Sequence, residues 1–230
     1  MRDSPSISAS ARRIRIGFAA SVCALAACVL PATALGQTAN DTTQFPVTPG
    51  SLLFGTAPDV PNLPALTLNG QAQTLNATMN NFSVADSTGS GSGYNVTVVG
   101  DTAGGKSPVF KQYCSNGGSA CGSDASFAYV AGGQQLAANS LTLNSTSAAI
   151  SAQNGSTGSG PTHQCNSGCF VDAGSATKVL SAAANAGMGT FQTNSWTGTS
   201  LALSAPTSIK SLPANEIYHV DLVWSLNSGP

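Results

Sequence analysis

The side chains with most chemical potential are four cysteines, Cys114, Cys121, Cys165 and Cys169, with His163 two residues before Cys165. In a reducing compartment thiolates and an imidazole would suit zinc. In an oxidising one the same cysteines would form disulfides. Four cysteines allow three pairings. Cys114–Cys121 and Cys165–Cys169 are expected, because each pair flanks a short Gly/Ser/Asn loop. The other histidine, His219, stands two residues from Asp221. On a strand that spacing is about 7 Å at Cα, awkward for a direct hydrogen bond, and no G-x-S-x-G turn supplies a nucleophile. A solvated strand face is expected there. A hydrolase would need two of Asp86, Asp101, Asp124, Asp172 and Asp221 brought together in a deep pocket by long-range folding. The stretch DSTGSGSG (86–93) lacks the further acids of a calcium loop. It reads as a Gly-rich hairpin turn whose glycines permit positive φ. No cofactor motif and no catalytic residue is assigned.

The compartment follows from the N-terminus. Arg12, Arg13 and Arg15 precede IGFAASVCALAACVLPATALG. A positive segment, an apolar run and a small-residue stretch make a secretory signal. Residues 1–36 are expected to be removed after Gly36, which takes Cys23 and Cys28 away and leaves residues 37–230 as one domain. LAAC, Leu25–Cys28, offers a lipoprotein box as the alternative. Export favours disulfides over zinc.

All four arginines lie in the signal, so the exported chain has four lysines against eight acids, a net charge of −4. No Lys/Arg cluster exists, which argues against nucleic-acid binding. After the signal no second long apolar run follows, and no transmembrane helix is expected.

The elements that must position these residues are short apolar alternations between turn clusters, the pattern of an all-β sandwich or barrel with Gly/Ser-rich loops. Strands are expected at 63–68, 94–99, 126–131, 140–145 and 200–205. In TLNATMNNFSVAD the apolar set slips by one residue, so a bulge is expected at Asn80–Asn81. One short helix is expected over 175–187, with Ser175 as cap and Gly187 as stop. Residues 153–164 read as a flexible loop. In a last strand over 217–226, Tyr218, Val220, Leu222, Trp224 and Leu226 share one face.

FSVADSTGSGSGYNVTV, followed far downstream by a terminal YHVDLVWSLNSGP, resembles the WxL-domain family of bacterial surface proteins. Asp86, Gly89, Gly91 and Gly93 match its first motif, and Trp224, Leu226 and Pro230 its second. Tyr94 stands where the first motif has Trp, with Val96 two residues on. The resemblance implies a secreted β-rich domain, not an enzyme, that attaches non-covalently to the peptidoglycan of Gram-positive walls through both motifs. Peptidoglycan or other surface proteins are then the expected partners. A self-assembling, fimbria-like surface subunit is the alternative, and a secreted hydrolase a further one. Tyr94, Val96, Trp224 and Leu226 are the candidate site, either core or wall-binding surface. The strands carrying them are expected to pair and to bring Tyr94 and Trp224 into ring contact. Trp196, among polar neighbours, is expected to be the exposed aromatic.

N-terminal sequencing of exported material is expected to begin at Gln37. A chain that begins at a lipid-bearing Cys28 would overturn the soluble reading.

Overall fold

The computed structural model describes residues 42–115 and 129–230. The expected signal, Cys121 and Asp124 lie outside the described residues. Residues Pro46–Pro230 form one compact unit. It holds fourteen strands among the described residues: β1 Leu52–Thr56, β2 Gln73–Ala77, β3 Ser83–Asp86, β4 Tyr94–Gly100, β5 Lys111–Cys114, β6 Leu141–Leu143, β7 Ala149–Gln153, β8 Thr162–His163, β9 Cys169–Phe170, β10 Thr177–Ala182, β11 Gly189–Asn194, β12 Leu201–Ala205, β13 Glu216–His219 and β14 Leu222–Ser228. The fold is all-β, as expected, and the helical content among the described residues is one 3₁₀ turn, Ala103–Gly105.

The strands form antiparallel sheets in the orders β1-β3-β11-β7, β14-β4-β10-β8, β2-β12-β6-β9 and β13-β5. None closes on itself, so the architecture is a sandwich and not a barrel. One core joins the three larger sheets: Val84 from β3, Tyr94, Val96 and Val98 from β4, Leu141 and Leu143 from β6, Val179 and Leu180 from β10, and Leu201 and Leu203 from β12. β4 is its axis, with every second residue fully buried and a strand on either side.

Several sequence expectations fail for identifiable reasons. The helix over 175–187 is the strand β10 and the turn after it. Thr177 and Val179 are β-branched, and the slot between β4 and β8 can take only a strand, so tertiary context overrides the local alanines. A register shift between Lys178 and Leu180 inserts Val179 as an extra residue, so Val179 and Leu180 are both buried. That bulge hid the period-two signal. The expected bulge at Asn80–Asn81 is instead a crossover, with β2 in one sheet and β3 in another. Residues 86–93 likewise link two sheets and are no hairpin, although Gly89, Gly91 and Gly93 do have positive φ. Residues 63–68 are not a strand; Pro61 and Pro64 remove donors that a ladder would need. Of 126–131 the described part holds only an isolated bridge, Tyr129 to Tyr113. The stretch 153–164 contains β8.

In the crossover at 78–82 two hydroxyls serve buried backbone groups, beside the Thr193 N–H that donates to Phe82 O at 2.8 Å. Thr193 Oγ1 accepts from Phe82 N at 3.0 Å and donates to Phe82 O at 3.1 Å. Ser200 Oγ accepts from Met79 N at 2.8 Å and donates to Ala77 O. Asp172 does the same for β6, accepting from Ser140 N at 3.0 Å and Leu141 N at 2.8 Å. Its burial pushes the carboxyl up to about 6 despite those bonds. Cys165 and Cys169 are bonded, with Cα atoms 5.2 Å apart. Cys114 is also disulfide-bonded.

Thr193→Val keeps the volume and deletes the hydroxyl. It should destabilise by about 1–3 kcal/mol, the cost of stranding the buried Phe82 amide, read from chemical denaturation. An unchanged midpoint would mean that the crossover finds other partners.

Candidate functional site

The terminal segment does not run as one strand over 217–226. It leaves β13 at His219, changes sheets across Val220–Asp221 and re-enters as β14. Tyr218, Val220, Leu222, Trp224 and Leu226 nevertheless all pack against the core, because the break does not change their common side. β14 pairs antiparallel with β4, with Trp224 opposite Val98, Leu226 opposite Val96 and Ser228 opposite Tyr94. Tyr94 and Trp224 therefore sit four positions apart in register, about 13 Å along the strand. The ring partner of Trp224 is Phe82, with centroids 6.0 Å apart, so the expected Tyr94–Trp224 contact does not form.

The two motifs are laced at their ends. Gly229 N donates to Gly93 O at 2.9 Å, and Asn95 Nδ2 donates to Gly229 O at 2.8 Å. Gly93 has φ +71°, and a Cβ there would stand 2.3 Å from Ala182 O, so only glycine fits. This clamp ties the end of β14 to the start of β4.

The candidate residues divide sharply. Tyr94 and Val96 are 0% exposed. The Tyr94 ring fills a slot beside Gly187, where a Cβ would meet Cε1 at 2.6 Å. Its hydroxyl is buried with no hydrogen-bond partner among the described residues. Burial, with the nearby Asp86 charge, pushes its pKa far above the ordinary value. Trp224 and Leu226 are half-buried. Trp196 is half-buried too, against expectation: its Nε1 donates to Thr193 Oγ1 at 3.3 Å and its ring meets His163 edge-on at 5.2 Å. Burial holds the His163 imidazole below its usual pKa.

Trp224 also lines a groove of about 830 Å³. One wall is the irregular strap 58–68; the other is formed by 209–212 and 216–222. Leu75, Phe110, Leu136, Leu141 and Leu203 make an apolar floor. Of the acids named for a hydrolase, Asp221 alone among the described residues lines it, accompanied by Asp59 and Glu216.

At one end of the groove stands a polar cluster that the sequence did not reveal. His219 Nε2 lies 3.3 Å from Asp221 Oδ1, a contact expected to be awkward on a strand and possible here because the strand breaks between them. The His219 ring stacks on Tyr113 at 4.4 Å, and Tyr113 meets Tyr129 edge-on at 5.2 Å. Tyr129 Oη donates to Asp221 Oδ2 at 3.2 Å and accepts from Asp221 N at 3.1 Å. Lys106 pairs with Asp101 at 2.9 Å and with Asp221 at 3.7 Å. The Ala103 amide, followed by the Lys106 ammonium, lowers the Asp101 pKa. The members satisfy one another, so the cluster fastens the sheet change. Among the described residues no group of three or more His, Cys, Asp or Glu side chains could hold a metal, and no helix is long and apolar enough to cross a membrane.

These features define an all-β domain that closes on its own C-terminal strand and displays that strand's aromatic at the rim of a groove. A family model described as WxL domain, surface cell wall-binding, matches residues 47–230. The chain belongs to that family, and is thereby a cell-surface, cell-wall-binding protein. No curated protein and no solved structure matches the chain.

Tyr94→Phe removes a buried hydroxyl without a partner and keeps the ring. Its unfolding free energy should equal or exceed that of the parent, by up to about 1–2 kcal/mol, read from chemical denaturation. A loss of stability would mean that the hydroxyl has a partner after all.

Proposed function

We propose that the chain is exported and attaches non-covalently to peptidoglycan through the rim around Trp224 and Leu226, and that it is not an enzyme. The single observation that carries this reading is the unequal burial of the two motifs. Tyr94 and Val96 are sealed and can touch no polymer, whereas Trp224 and Leu226 are half-buried on an edge strand. The first motif then acts as the bed for the second. Aromatic side chains that keep one face packed and the other wet are suited to binding surfaces. Phe82 backs Trp224 on the packed side. The family match supports a wall ligand.

Co-sedimentation with purified cell walls tests this with Trp224→Phe and Trp224→Ala. The Phe variant retains packing against Phe82; it should melt near the parent and bind walls less. The Ala variant should lose both, with a stability cost below the about 3–5 kcal/mol of a fully buried aromatic. A Trp224→Phe protein that sediments with walls like the parent would make Trp224 a packing residue only.

A further inference from the structure

We propose that the groove receives residues 44–47 of a second copy of this chain, added as an extended strand beside β13, so that copies join head to tail. The donor is unusual for a soluble domain. Phe45 is 81% and Val47 78% exposed, the two most exposed large apolar side chains among the described residues. The stretch from Thr43 to Pro49 carries no charge and has no regular structure. Strand alternation places Phe45 and Val47 on one side and Pro46 between them on the other. Proline cannot donate to a ladder, and it is tolerated where its N–H side faces solvent on an edge strand. An added strand has such an edge.

Strand addition uses an open strand edge and pockets for alternate side chains, and β13 offers such an edge from Ile217 onward, the Glu216 amide being taken by Pro213 O. β13 has β5 on one side and, among the described residues, no strand on the other. All four of its residues line the groove. On the facing wall no backbone–backbone hydrogen bond ties down 57–69 among the described residues. Leu63, Leu66 and Leu212 line the same space. The two apolar side chains of the segment match the leucines of that lining.

A second copy fits better than the chain's own segment. Pro46–Ser51 runs into β1 at Leu52, whereas the strap departs after Thr56, at the other end of a strand about 17 Å long. Donor and acceptor are different surfaces, so the contact is heterologous and need not close into a dimer.

The test is sedimentation velocity of the purified chain over two decades of concentration. The parent should gain mass with concentration. Phe45→Ser/Val47→Ser, which keeps the groove, should stay monomeric. Ile217→Lys, which keeps the arm and alters a 45% exposed groove residue, should also stay monomeric. An equimolar mixture of the two should give a species of twice the monomer mass and nothing larger, since one intact arm meets one intact groove. If Ile217→Lys misfolds, Leu68→Lys on the facing wall, 49% exposed, replaces it. A parent that is monomeric throughout, an arm variant that still associates, or a mixture that stays monomeric would each overturn the proposal. Mass is read without cell walls, so its failure and a failure of wall attachment are distinguishable.

Discussion

The fold depends on one constraint: wherever the chain leaves one sheet for another, its buried backbone groups must find partners outside any ladder. Hydroxyls and one carboxylate meet it. Thr193 and Ser200 serve the crossover between β2 and β3. Ser83 Oγ accepts from Thr56 N where β1 slips in register. Asp172, fully buried, holds the start of β6. At the last change of sheet Asp101 N donates to Asp221 O and Asp221 N to Tyr129 Oη. A chain rich in Ser, Thr and Asn and poor in Lys, Arg and Glu is thus suited to a sandwich that changes sheets often. Short side chains can bond locally to backbone, and long charged ones cannot be buried without partners.

The same economy shapes the two motifs. β4 lies between β14 and β10, so its alternate residues face the core and have no route to solvent. Gly187 supplies the close approach that admits the Tyr94 ring, and Gly93 lets the backbone pass close to Ala182 and Ala183. β14 is an edge strand, and its Trp224 and Leu226 remain partly open. Two segments that match one family pattern thus have different physical duties. The first sets the register and clamps Gly229; the second carries the accessible aromatic.

Beside that rim, the groove adds a second surface of different character. Its floor is apolar, its walls are a proline-bearing strap and the open side of β13, and its charged members include Asp59, Lys210, Glu216 and Asp221. The proposed wall attachment and the proposed contact between copies would then draw on adjoining parts of the terminal segment. The break at Val220–Asp221 separates them by placing β13 and β14 in different sheets.

By itself the sequence determined the all-β class, the alternation of Tyr94, Val96 and Val98, the common side of Tyr218 to Leu226 and the family. These are period-two patterns and spaced motifs, which need only local geometry. It did not determine where strands end or which sheet each joins. β10 was masked by its alanines and by the bulge at Val179; β2 and β3 read as one kinked strand; β13 and β14 read as one continuous strand. Nor did it disclose that Tyr94 would be sealed and Trp196 half-covered, or that His219 and Asp221 would meet. Each of these was decided by tertiary structure, because burial and sheet membership depend on residues more than a hundred positions away, such as Thr193 on Phe82 and Gly93 on Gly229.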